Sequence, residues 1–298
     1  MSGRAELTAS VVSLPNGRYL GFREYGDPRG VPVFGFHGTP GSRLQVAPTS
    51  SAPLPPNVRL IAPDRPGYGF STFYRERRLS DWPRDVAALA DHLGIDRFAV
   101  FGVSGGGPHA LVCAHALASR LIGVACVSGV GPLSDPHAAE GMMTLNRLIT
   151  FLSRHARWLV RMLMRAQFRM VGRDPERAFA VMERQLPPPD REILSDAEFR
   201  AHLIDDLRLN SPTAPLAAAQ DFEIFARDWG FALEEITVPV HFWQGSVDRN
   251  VPAPHADLMA SRTPNATVHR YPGEGHFLVA KRLGEIIATI TAASAART

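Results

Sequence analysis

Cysteine is almost absent: Cys113 and Cys126 are the two among 298 residues. So few thiols exclude a disulfide-stapled scaffold, and a chain of this length buries enough core to fold without staples. One lies in a helical stretch and one in an apolar strand, so both read as buried free thiols suited to a reducing compartment. Long uncharged apolar runs are missing too; arginines interrupt every candidate, and no membrane-spanning segment is expected. Met1–Glu6 lacks the apolar stretch of a signal peptide, which together with the cysteines gives a cytoplasmic expectation. Charge of one sign is scarce, since 32 Lys+Arg against 29 Asp+Glu leave only +3, too even a balance for a nucleic-acid surface. No residues stand at metal-ligand spacing, no Gly-Lys-Ser/Thr follows a glycine-rich turn, and no G-x-G-x-x-G opens a dinucleotide site. Neither metal nor cofactor is therefore expected. There are no internal repeats. What remains is a globular chain, with a small-molecule substrate the partner left open.

The feature that is present is Gly102-Val103-Ser104-Gly105-Gly106. It sits where the apolar run Phe98–Phe101 ends and a helical run from Pro108 begins. A serine at a sharp strand-to-helix turn is held in a strained backbone that lifts its hydroxyl off the sheet. Gly102 and Gly106 let the two segments pass closely. The adjoining helix N-terminus offers N–H groups to negative charge. A glycine-rich phosphate loop is the plainer reading of such a pentapeptide, so its surroundings have to decide.

Three further segments each put polar residues just past an apolar strand, where open parallel sheets build their sites. They are His37-Gly38-Thr39-Pro40-Gly41 after Val31–Phe36, Gly245-Ser246-Val247-Asp248 after Val238–Trp243, and Pro272-Gly273-Glu274-Gly275-His276 after Ala266–Tyr271. The chain order is Ser, Asp, His. A serine hydroxyl is a poor nucleophile near neutral pH without a base in reach, histidine has a suitable pKa, and a carboxylate fixes its tautomer.

With these motifs, and with Asp64-Arg65-Pro66-Gly67-Tyr68-Gly69 and Ser71, the chain resembles the α/β-hydrolase fold family over nearly its whole length. The resemblance implies Ser104 as nucleophile, His276 as general base and Asp248 as the acid that orients it. By the same resemblance the backbone N–H groups of Thr39 and Gly105 form an oxyanion hole, with His37 and Gly38 supporting the turn. The elbow and Trp229-Gly230-Phe231 resemble a bacterial cap-bearing branch of serine hydrolases. Gln244 departs from the histidine expected there and puts the floor of the acid loop in question. Other residues compete for these roles. Asp64 is a rival acid, although an Asp–Arg brace with Arg65 is the ordinary explanation. An acid near Ser134-Asp135 is a variant. His109 and His115 read as packing or surface residues, and His255 as a partly exposed helix residue.

The fold expected is α/β. A mainly parallel sheet of about eight strands, with helices on both faces, carries a helical cap between the sixth and seventh strands. Strand patterning starts at Leu7–Ser13 and Arg18–Tyr25 and vanishes from about 131 to 230. The layout is thus a core over 1–130 and 231–298 and a cap over 131–230. The cap is read as about four helices, with breaks at Gly172–Pro175 and Leu186–Pro189.

Two features of the cap bear on function. Arginines from Arg154 to Arg173 recur every three or four residues and form one helical stripe. This reads either as a membrane or acidic-substrate surface or, more plainly, as a solvated outer face. Met142, Met143, Leu145, Leu148, Ile149, Phe151 and Leu152 are either an adaptable apolar wall at the mouth of the site or the cap's own core. The function expected is hydrolysis of a small-to-medium, hydrophobic carboxylic ester or lactone. Cleavage of an activated carbon–carbon bond or of an amide, or slow turnover in a ligand receptor, stay open, as does pairing of two copies into a homodimer.

Overall fold

A six-residue run with no polar side chain, Phe98–Val103, belongs in the middle of a sheet covered on both faces. In the computed structural model, which describes residues 9–135, 138, 140–209 and 212–295, all six are buried. Around this strand the chain lays down β1 (Ser10–Ser13), β2 (Tyr19–Gly26), β3 (Val31–Phe36), β4 (Val58–Pro63) and α1 (Trp82–His92). Next come β5 (Phe98–Val103), α2 (Gly107–Ala116) and β6 (Leu121–Val127). The eight strands run in the order β1-β2-β4-β3-β5-β6-β7-β8, with β7 at Val240–Gly245 and β8 at Ala266–Tyr271. Only β2 opposes its neighbours; from β4 to β8 every pair is parallel.

Alternate residues of the central strands go to two different cores, as a period of two requires. Phe34, Phe98, Val100 and Val124 pack with Trp82, Val86 and Leu89 of α1 and Leu111 of α2. Val33, Ala99, Phe101 and Ala125 face the other way, against Ile286, Ile287 and Ile290 of the last helix (Val279–Ala295). The expected strand at Leu7 begins at Ser10; Leu7 and Met1–Glu6 lie outside the described residues.

Between β6 and β7 the described residues form six α-helices where the sequence suggested four. They are α3 (Thr144–His155), α4 (Arg157–Arg173), α5 (Pro175–Glu183), α6 (Pro188–Ser195), α7 (Ala197–Arg208) and α8 (Ala214–Phe225). α9 (Ala253–Arg262) follows β7 and α10 (Val279–Ala295) closes the chain. One extra break had a readable signal: Asp196 caps α7 by accepting from Phe199 N at 2.8 Å. The other, at Ala156 (φ −145°, ψ 59°), has no marker in residue type. α3, α4 and α8 share a small core with Tyr68, while Ile224, Phe225 and Trp229 pack into the core beneath the sheet.

Candidate active site

Ser104 follows the extended Val103 (φ −102°, ψ 133°) and itself has φ 54°, after which a 3-10 turn leads into α2. A left-handed residue between an extended one and a helical one reverses the chain within one peptide. For a residue with a Cβ this conformation costs roughly 1 kcal/mol or more. Close packing holds it: a Cβ at Gly102 would lie 2.9 Å from Gly107 N and nearer still to the Gly106 carbonyl. Ser104 O accepts from Val130 N at 3.0 Å.

His276 Nδ1 stands 2.8 Å from Asp248 Oδ2, and its Nε2 stands 3.2 Å from Ser104 Oγ. A carboxylate only accepts, so Nδ1 carries the hydrogen and Nε2 presents a lone pair to the serine. Burial works against the imidazolium, but the charge and hydrogen bond of Asp248, with Asp190 behind them, outweigh it and raise the His276 pKa above its ordinary 6.5. Asp248 Oδ1 accepts from Asn250 N (2.8 Å) and Val251 N (2.9 Å). Gln244, the residue out of pattern, donates to Gly245 O and Val251 O (3.2 and 3.0 Å) and ties the acid loop to itself.

The turn after β3 lies against the serine: a Cβ at Gly38 would be 3.1 Å from Ser104 Cβ, and one at Gly105 would be 2.9 Å from Thr39 Cβ. Gly105 is the second residue of its helical turn, so its N–H has no acceptor within that turn. Arg65 fastens the turn, donating to His37 O (3.1 Å), Gly38 O (2.7 Å) and Thr39 Oγ1 (2.8 Å). His37 accepts from Arg65 N at 2.9 Å on Nε2, which leaves Nδ1 to donate to Gly38 O at 2.9 Å. Burial and then Arg65 hold His37 well below its ordinary pKa, so it stays neutral in that tautomer. His109 is neutral for the same two reasons, and its Nδ1 bonds Gly105 O at 2.9 Å.

The cap reaches into this machinery through three buried aspartates that no motif in the sequence marks. Asp221 on α8 accepts from Thr39 Oγ1 (2.6 Å), Arg65 Nη1 (2.8 Å), Tyr68 OH (2.7 Å) and Arg77. Burial alone would raise its pKa; the two guanidiniums overcome that and hold it well below the carboxylate range. Asp190 on α6 accepts from His276 N (2.9 Å) and Phe277 N (3.0 Å), gripping the histidine loop by its backbone. Asp206 on α7 accepts from Ser42 N (2.7 Å) and Ser42 Oγ (2.5 Å) just beyond the Thr39 turn.

A family model described as the alpha/beta hydrolase fold matches residues 31–282. The chain belongs to that family. Among curated proteins, a probable proline iminopeptidase from Leptolyngbya boryana is 35% identical over 107 residues, 35% of this chain and 33% of that protein. The match thus spans about a third of that relative's length. Among solved structures, a hydrolase from Pseudomonas aeruginosa PA01 superposes with a TM-score of 0.70 at 16% identity, covering 99% of both chains. A thermophilic esterase from Thermogutta terrifontis gives 0.64 at 19% identity over 96% of this chain and 97% of its own. At such identities these two likenesses bear on the fold alone.

Several rival residues of this α/β hydrolase have other occupations. Asp64 does not brace Arg65; it pairs with Arg43 (2.8 Å), and Arg65 pairs instead with Asp221. His255 is fully buried rather than partly exposed, accepts from Gly131 N at 2.9 Å, and burial lowers its pKa to about 4. His115 stacks on Phe231 at 5.2 Å. Asp135 sits in the turn after β6, donating its N–H to Pro132 O. The apolar segment at the start of the cap divides: Ile149 joins the cap core, whereas Leu145, Leu148 and Phe151 face solvent.

Proposed function

We propose that this α/β hydrolase is a serine hydrolase that cleaves a small-to-medium, hydrophobic carboxylic ester or lactone by acyl transfer. The observation that carries the reading is the unbroken relay from Ser104 Oγ to His276 (3.2 Å) and from His276 to Asp248 (2.8 Å). The serine proton passes to His276 Nε2 as Oγ bonds the substrate carbonyl carbon. The oxyanion meets the backbone N–H groups of Gly105 and Thr39. His276 then returns the proton to the departing alkoxide as the carbon–oxygen bond breaks. Water, giving a proton to the same histidine, then bonds the acyl carbon; the Ser104 Oγ–carbon bond breaks, His276 returns that proton to Oγ, and the acid is released. Phe225 beside Gly105 and Phe277 beside His276 supply apolar surroundings for the acyl group. The two buried free cysteines suit a reducing, cytoplasmic setting.

Ester cleavage is favoured over removal of an N-terminal residue because a free substrate amine needs an unengaged carboxylate. Asp190 and Asp221 are both held by donors of the protein itself, and Glu223 by Arg157, Arg161 and Arg227. The test is turnover of p-nitrophenyl esters of increasing acyl length by the wild type and by Ser104→Ala. The expected result is loss of roughly 10³-fold or more in the variant, with medium apolar acyl groups preferred. Folded wild-type protein inert toward every ester would overturn the reading in favour of carbon–carbon hydrolysis or a ligand receptor.

A further inference from the structure

The outer face of the cap carries what a water-facing surface ordinarily limits. Six of the large apolar side chains exposed in the molecule lie on α3 and α4: Leu145, Leu148, Phe151 (59%), Trp158 (70%), Met162 and Met170. Spacings of three and four set Leu145, Leu148 and Phe151 along one side of α3, and Trp158 with Met162 along one side of α4. These sides are turned away from the cap core, into which Ile149, Val160 and Met164 point.

The same two helices are strongly basic. Residues 144–173 contain seven arginines and no Asp or Glu, in a chain whose total is +3, so the rest of the molecule is net negative by 4. Arg157 and Arg161 reach Glu223 (3.8 and 3.0 Å). Arg165, Arg169 and Arg173 have no ion-pair partner among the described residues, and all three are exposed.

A solvated face accounts for the arginines but leaves Trp158 and Phe151 in water for no return. A second copy of the chain, meeting this face about a two-fold axis, would set Arg165, Arg169 and Arg173 against the same three. An anionic lipid surface satisfies both features: phosphates take the guanidiniums while Leu, Phe, Trp and Met side chains enter the boundary between headgroups and acyl chains. We propose that the α3–α4 face docks this protein onto an anionic phospholipid membrane, its helices lying in the plane of the interface. Among the described residues no helix is long and apolar enough to cross a membrane. The docked face is joined to the candidate active site. Met143 N donates to Arg249 O (3.2 Å) and Asn146 Nδ2 to Asn250 O (3.4 Å), so α3, about 18 Å long, starts on the loop that carries Asp248.

The molecule supplies its own probe, because Trp82, Trp229 and Trp243 are at most 6% exposed and Trp158 is 70% exposed. The full chain would be mixed with vesicles of phosphatidylglycerol or of phosphatidylcholine, following tryptophan emission and co-sedimentation. Expected are sedimentation and a blue shift with phosphatidylglycerol alone, both weakened at about 0.5 M salt. Trp158→Phe should keep the sedimentation and lose the shift. Arg165→Glu with Arg169→Glu, both on the exposed side, should lower partitioning about tenfold or more and leave turnover of a soluble ester unchanged. No binding to phosphatidylglycerol, equal binding to both lipids, binding that leaves Trp158 emission unmoved, or a dimer that buries Trp158 would each overturn the proposal. None of these overturning outcomes depends on the reaction catalysed.

Discussion

Gly105 has room for a hydrogen and little else, because Thr39 packs against it. That contact separates two ways of damaging the proposed oxyanion hole. Gly105→Ala forces a methyl group into Thr39 and pushes the two backbone donors apart. The expected loss is about 10²–10³ in kcat, the usual effect of removing one such donor, with the circular dichroism spectrum unchanged. Thr39→Ala removes the hydroxyl held by Asp221 and Arg65 but leaves the N–H, so its loss in kcat should be clearly smaller. Equal losses would mean that the Thr39 hydroxyl, and not the backbone, does the work at this turn. At the same scale, with His276 as the proposed base, its raised pKa should set the acidic limb of the rate profile. The base must be neutral, and a raised pKa keeps it protonated to higher pH, so kcat/KM should fall below a midpoint above 6.5.

Among the elements, α6 has the clearest untested role. Asp190 holds the N–H groups of His276 and Phe277 and adds negative charge near the imidazole. Asp190→Asn removes that charge and can accept only one of the two N–H groups without turning an amide toward the other. The acidic limb of kcat/KM should therefore move to lower pH, and kcat should fall about tenfold as the histidine loop loosens. A merely structural role would lower stability and leave the midpoint where it was. This also marks how far the sequence can be read. Ser104, His276 and Asp248 were legible because each lies in a short strand-to-loop motif whose meaning is local. Asp190, in Pro-Pro-Asp-Arg, looks like any acidic residue in the first turn of a solvated helix. What makes it unusual is burial against a loop 86 residues away, and no local pattern encodes that. Arg65 was legible as part of a motif but not in its partner, which is 156 residues distant. The arginine stripe was visible as a period, but only Arg157–Arg173 share one helix, because the break at Ala156 leaves Arg154 on α3; the apolar side chains exposed beside it were not visible, because a period cannot tell which side of a helix is covered.

At the scale of the whole molecule, cap and core are joined through buried carboxylates whose protonation runs in opposite directions, and this gives the stability a pH dependence that can be taken apart. Asp221, fully buried between Arg65 and Arg77, has a lowered pKa. Its stabilisation is therefore fully present above the ordinary carboxylate range and is lost only in strong acid. Asp221→Asn leaves two buried guanidiniums without their counter-charge and should destabilise the protein by about 3–5 kcal/mol at neutral pH. Asp206 behaves the other way. Burial raises its pKa from 3.8 to about 7, so the native state holds a proton that the unfolded chain gives up. Stability must then fall as pH rises from about 4 to about 7 and level off above that. The term amounts to at most about 4 kcal/mol at 1.36 kcal/mol per pKa unit. Asp206→Asn keeps an acceptor for Ser42 N and Oγ and removes the titration. Its urea midpoint relative to wild type should therefore improve from about pH 4 to about pH 8, while that of Asp221→Asn stays below wild type across the range. Cap helices α7 and α8 each hold one of these groups against the core, so both variants should shift one cooperative transition, seen alike by the emission of the buried core residues Trp82 and Trp243 and by far-ultraviolet dichroism of the whole chain, cap helices included. Two separated transitions would mean that the cap can leave the core folded behind it, and that the buried aspartates are contacts of a closed state and not part of the common fold.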